Sequence, residues 1–179
     1  MKRSELEHAI RAAGDIAADA ELIVIGSQAI LASFPDAHPD LTQSLEADLY
    51  PKNFPERSDL IDGAIGELSP FHHTFGFYVR GVGPETATLP AGWNRRLVRV
   101  KNANTGGCTA WCLEPHDLAA SKLAAGREQD HDFVHALLRH KYVEPGTLRR
   151  RLGKLPVSPA RRRHLLARLD GAAGSAKAR

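Results

Sequence analysis

Four consecutive apolar residues, Leu22-Ile23-Val24-Ile25, closed off by Gly26-Ser27, constrain this chain more than any other feature. A run so short, rich in β-branched residues and cut by turn residues, predicts a strand buried in a sheet. It is far too short for a bilayer, and no apolar stretch approaches the ~20 residues that a membrane span requires. Before it, Leu6, Ala9, Ile10, Ala13, Ile16 and Ala17 recur at three- and four-residue steps. That spacing predicts an amphipathic helix over 4–19, ending near Gly14 or Asp19.

Later segments mix both periods. Residues 28–34 predict a helical turn or short helix stopped by Pro35, and 35–40 a loop. Residues 41–50 predict a second strand, with Leu45, Ala47 and Leu49 alternating against Ser44, Glu46 and Asp48. A helix is expected over 58–68 with Ser58 as its cap, an extended aromatic segment over 71–82, and a strand over 95–100. The turn 102–107 joins that strand to another at 108–113, making a hairpin. Pro115 opens a helix that Gly126 interrupts before it resumes through Phe133, Val134, Leu137 and Leu138. Short helices follow at 145–153 and 158–169, and the last ten residues read as frayed. Strands and helices mix without regular alternation, so the expected fold is α/β of the α+β kind, a small mixed β-sheet flanked by helices.

The chain has 179 residues, 42% hydrophobic and 25% charged. That is one ordinary globular domain, or one with a small appendage, and it excludes disordered and fibrous classes. The acidic, amphipathic start Met1-Lys2-Arg3-Ser4-Glu5-Leu6-Glu7 predicts no secretory signal. Two cysteines make no disulfide framework, and the expected compartment is the cytoplasm. The net charge of +3 conceals a split. Residues 139–179 carry twelve Lys/Arg against Glu144 and Asp170, a net +10, whereas residues 1–138 carry twelve against nineteen acids, a net −7. A basic segment on an acidic body marks either a protein that meets a polyanion or a solvated helical face. The expected organisation is a core over 1–140, a basic helical appendage over 141–170 and a disordered tail over 171–179.

Three features bear on chemistry. Gly26-Ser27 follows a strand directly, where a glycine lets backbone approach a ligand and amides at a helix start favour phosphate; it is equally common turn punctuation. Glu46 and Asp48 project from one face of the second strand, which is a hard oxygen donor pair suited to Mg²⁺ or a solvent-exposed face. Lys122 sits among Ala119, Ala120, Leu123, Ala124 and Ala125. A cation there needs an anion such as a triphosphate, or else reaches water along its own stem.

Together these motifs, with Ser44-Leu45-Glu46-Ala47-Asp48 and the stretch Leu113-Glu114-Pro115-His116-Asp117-Leu118-Ala119-Ala120-Ser121-Lys122 running on to Arg127 and Asp130, resemble a bacterial nucleotidyltransferase-like family. Its better-known relatives are the AbiEii and MenT toxins of toxin–antitoxin and phage-defence systems. The resemblance spans about residues 20–140. It implies a polymerase-beta-type nucleotidyltransferase core that uses Mg²⁺ and a nucleoside triphosphate, with tRNA 3′ ends as the acceptor and a small antitoxin protein as partner. On that reading Gly26 and Ser27 cradle the triphosphate, Glu46 and Asp48 hold metal, Lys122 contacts phosphate, Arg127 supports it, and Asp130 completes the site. The first carboxylate is Glu where Asp is commoner, and Asp130 and Asp132 both fit the later acid. The alternative is a catalytically silent protein of the same fold that binds nucleic acid or a partner protein.

Two other patterns bear on metal or redox chemistry. His131-Asp132-Phe133-Val134-His135 places two histidines four apart on a helix, as in a zinc site, but lacks a third ligand. Cys108 and Cys112 lack the spacing of a zinc or redox pair and suit small packing positions.

Overall fold

In the computed structural model, which describes residues 1–177, the chain forms two compact units. The first comprises Met1–Thr86 and Leu97–Leu113, the second Ala87–Arg96 and the chain from Glu114 onward.

The first unit is built on a five-stranded mixed sheet. Its strands are β1 (Glu21–Val24), β2 (Glu46–Pro51), β3 (Tyr78–Gly81), β4 (Val98–Val100) and β5 (Thr109–Cys112), in the order β3-β2-β1-β5-β4. β1 runs parallel to β5 and antiparallel to β2; β2 is parallel to β3 and β4 antiparallel to β5. Leu22, Ile23 and Val24 are all buried. Neighbouring residues of a strand face opposite ways, so both faces of this central strand are covered, which is why its sequence is a continuous apolar run. The predicted hairpin is β4–β5.

Helix α1 (Arg3–Ala17) buries Leu6, Ala9, Ile10, Ala13 and Ala17 and packs on β1, β2 and β3. Gly14 lies inside it rather than ending it: a Cβ there would sit 2.4 Å from Cys108 Sγ, so the glycine admits the thiol. Residues 28–34 form a 3₁₀ turn (Ser27–Ala29) and the four-residue α2 (Ile30–Ser33). The strand expected over 41–50 begins only at Glu46, because Pro39 opens a 3₁₀ turn over Pro39–Leu41 and Leu45 is exposed.

Two further expectations are corrected. Ser58 does not cap the next helix, α3 (Ser58–Ile65), but is its first residue. Its hydroxyl instead donates to the carbonyls of Pro55 (2.7 Å) and Val82 (2.8 Å). The aromatic segment over 71–82 is not wholly extended, since α4 (Pro70–Phe75) precedes β3. Ser69 caps α4 by accepting from His72 N at 3.1 Å, and Pro70 takes the first helical position, where its missing N–H costs nothing. Phe71 and Phe75, four apart, then meet the His8 ring of α1 at 5.2 and 4.5 Å.

The second unit is helical: α5 (Pro115–Ala125), α6 (Glu128–Arg139), α7 (Pro145–Leu152) and α8 (Pro159–Lys177). Gly126 separates α5 from α6 as expected. Leu118, Leu123, Phe133, Val134, Leu137, Leu148, Leu152, Leu165 and Leu169 form its core. The helix expected to stop at 169 continues to Lys177, and residues 178–179 of the expected tail lie outside the described residues. Among the described residues no helix is long and apolar enough to cross a membrane.

Candidate active site

The predicted residues fall into two sets, one in each unit. Gly26, Ser27, Glu46 and Asp48 belong to the first, Lys122, Arg127 and Asp130 to the second.

In the first set the end of β1 is tied to β2. The amides of Ile25 and Gly26 donate to the Asp48 carbonyl at 3.0 and 3.4 Å. A Cβ on Gly26 would fall 2.3 Å from Asp48 Oδ2 and 2.8 Å from Asp48 Cβ, so only glycine leaves that carboxylate its place. Gly26 has φ −76°, an ordinary value, and the demand on it is space alone. Ser27 opens a 3₁₀ turn followed by a single turn of α-helix, too short for a substantial macrodipole.

Glu46 and Asp48 are half-buried on one face of β2, while Ala47 and Leu49 are fully buried on the other. In the β2–β3 register Glu46 lies opposite Tyr78 and Asp48 opposite Arg80. The Tyr78 hydroxyl donates to Glu46 Oε2 at 2.8 Å, and Arg80 Nη1 stands 3.9 Å from Glu46 Oε1. Burial, the bond to Glu46 and the charges of Glu46, Glu67 and Asp48 all raise the Tyr78 pKa, so the phenol stays protonated. The two half-buried carboxylates on this face, with Asp48 packed against Gly26, are oxygen donors of the type that suits a hard divalent cation such as Mg²⁺.

In the second set Asp130 is completely buried and its carboxylate is shared by two cations. Lys122 Nζ lies 3.0 Å from Oδ1, and Arg127 Nε lies 2.8 Å from Oδ2. The Arg127 amide also donates to Oδ2 at 3.2 Å, capping α6. Burial pushes the Asp130 pKa up, but the bond from Arg127 and the charge and bond of Lys122 outweigh it and hold it below its ordinary value. The anion expected beside Lys122 is therefore supplied within the chain. Asp132, the other acid that fits the later position, is exposed.

Sequence reasoning missed Tyr78, Arg80 and a second buried acid. Asp117 is fully buried, held by Arg96 through Nε (2.7 Å) and Nη2 (3.0 Å), and approached by Arg151 Nε at 3.0 Å. Only the oddity of an aspartate beside Leu118-Ala119-Ala120 signalled it; its arginines come from remote segments.

His131 Nε2 contacts the Arg168 guanidinium and stands 3.2 Å from the Gly126 carbonyl, while His135 is exposed. A guanidinium against that nitrogen disfavours a metal cation there. Cys108 and Cys112 are free buried thiols, and burial lifts Cys112 to about 12.

A family model described as a nucleotidyltransferase of unknown function (DUF6036) matches residues 4–163. No curated protein and no solved structure matches the chain.

Proposed function

This chain belongs to the DUF6036 family of nucleotidyltransferases of unknown function, and from that premise we propose that it transfers a nucleoside monophosphate from an NTP to an RNA acceptor, a tRNA 3′ end. The observation that carries the reading is that Glu46 and Asp48 share one half-buried face of β2, with the Asp48 side chain packed against the backbone of Gly26 where a Cβ would displace it.

Glu46 and Asp48 would hold Mg²⁺, which would supply Lewis-acid chemistry, favouring ionisation of the attacking hydroxyl and offsetting charge on the departing pyrophosphate. The acceptor hydroxyl attacks the α-phosphorus: a new O–P bond forms, the bond to the α–β bridging oxygen breaks, pyrophosphate leaves and the hydroxyl proton passes to solvent. Gly26 and Ser27 present backbone to the triphosphate. In the second unit, taken by itself, Lys122 is held in place by Asp130 and is the residue assigned to phosphate, with Arg127 in support. Asp130 has both oxygens engaged, so it serves by fixing Lys122 rather than by holding metal. The basic α7 and α8 track the RNA backbone.

The resemblance to the AbiEii and MenT toxins supports placing the protein as the toxin-like half of a bacterial pair, with a small antitoxin as its partner. Incubation with each of four labelled NTPs, Mg²⁺ and total RNA tests the proposal: label enters RNA from at least one NTP, and no incorporation from any of them overturns it.

One observation favours a second reading, a catalytically silent binding protein. Lys122 already has an internal counter-ion in Asp130. Calorimetry separates the two, because a silent module binds RNA in a salt-dependent way yet shows no Mg²⁺-dependent NTP binding.

A further inference from the structure

We propose that Tyr78 is a positioning residue that holds the Glu46 carboxylate in the orientation needed for a divalent cation, an inference that rests on the metal-binding reading of Glu46 and Asp48 above. Glutamate has one more rotatable bond than aspartate, so a carboxylate at position 46 needs an external tether to present one orientation. The structure supplies it. Tyr78 lies directly across the β2–β3 ladder, and its hydroxyl donates to Oε2 at 2.8 Å. Oε1 is left without that bond, its nearest cation being Arg80 at 3.9 Å, itself 57% exposed.

The tether is stiff. Tyr78 is half-buried, and its ring stands 4.8 Å from the ring of His72. His72 is fixed in turn, with Nδ1 accepting from the Leu68 amide at 3.1 Å. A loop, α4 and β3 thus converge on one carboxylate oxygen. A phenol also suits the task chemically, because it orients Glu46 without neutralising it, as a lysine would. Groups behind a metal ligand that fix its orientation commonly control affinity as strongly as this.

The test is Mn²⁺ binding to the full chain, followed by electron paramagnetic resonance of the free ion, for wild type, Y78F, E46Q, D48N and the E46Q/Y78F double variant, with thermal melts as the control. Y78F is expected to weaken Mn²⁺ binding roughly tenfold and to cost nothing further in the E46Q background. If Y78F binds as tightly as wild type while E46Q and D48N lose binding, the role of Tyr78 is overturned and the metal site stands. An equal loss in both backgrounds overturns it too, since Tyr78 then does not act through Glu46. If E46Q and D48N bind like wild type, the metal reading fails and takes this inference with it. Should Y78F not fold, Glu46→Asp carries the test: a carboxylate too short for the hydroxyl binds Mn²⁺ more weakly at unchanged charge, and wild-type affinity overturns the proposal.

Discussion

Gly26 lies so close to Asp48 that a methyl group at its Cα would stand 2.3 Å from Oδ2. The turn after β1 and the carboxylate on β2 are therefore one structural unit, and changes in the first should be felt at the second.

Gly26→Ala tests that link. The backbone can adopt alanine's conformation, so the cost is overpacking, about 1–3 kcal/mol, read by urea unfolding. Mn²⁺ affinity is expected to fall roughly tenfold, because the side chain that yields is that of Asp48. Unchanged affinity with lowered stability would separate the turn from the site.

Asp130→Asn leaves Lys122 and Arg127 without their anion. Breaking a buried pair from one side costs about 3 kcal/mol, measured by denaturant unfolding. Wild-type stability in this variant would show that the two cations do not depend on Asp130.

Acid sensitivity follows from the same carboxylate. Asp130 has a pKa below its ordinary 3.8 in the fold, as does Asp19, while Glu7 falls below 4.5. A depressed folded-state pKa adds stability that is complete above the unfolded value and disappears as pH falls through the folded one. Stability should thus hold above about pH 5 and decline below about pH 4, with a shallower decline in Asp130→Asn. An identical acid limb in the two proteins would contradict the assignment.

Asp117→Asn provides the contrast. Its carboxylate holds Arg96 and Arg151 within the helical unit and has no part in the proposed chemistry. Stability should fall by about 3 kcal/mol with Mn²⁺ affinity unchanged, so a matching loss of metal binding would count against that division of roles.

RNA binding should depend steeply on salt. Arg150 and Arg163 are exposed on α7 and α8. Replacing both with Gln should reduce the slope of log K against log salt by about 1.5, and an unchanged slope would move the RNA elsewhere.

Local signals made much of this legible. The β-branched run read correctly as β1, and alternation placed Glu46 and Asp48 on one face of β2. Gly126 marked the break between α5 and α6. Phe71-His72-His73-Thr74-Phe75 misled because aromatic content favours strands, whereas Ser69-Pro70 ahead of it is a helix start, and the capping residues prevailed. Side-chain partners were mostly illegible. Nothing near Glu46 in sequence points to Tyr78, because strand register is set by the whole sheet. The neighbours of Lys122 showed that it needed an anion, but the choice of Asp130 over Asp132 depended on which of them α6 turns inward.

The most direct measurement is transfer of label from radioactive NTPs to RNA by wild type and by Asp48→Ala at matched folding. The account predicts incorporation by wild type and none above background by the variant. Equal incorporation by both would show that the β2 carboxylates do not carry the reaction.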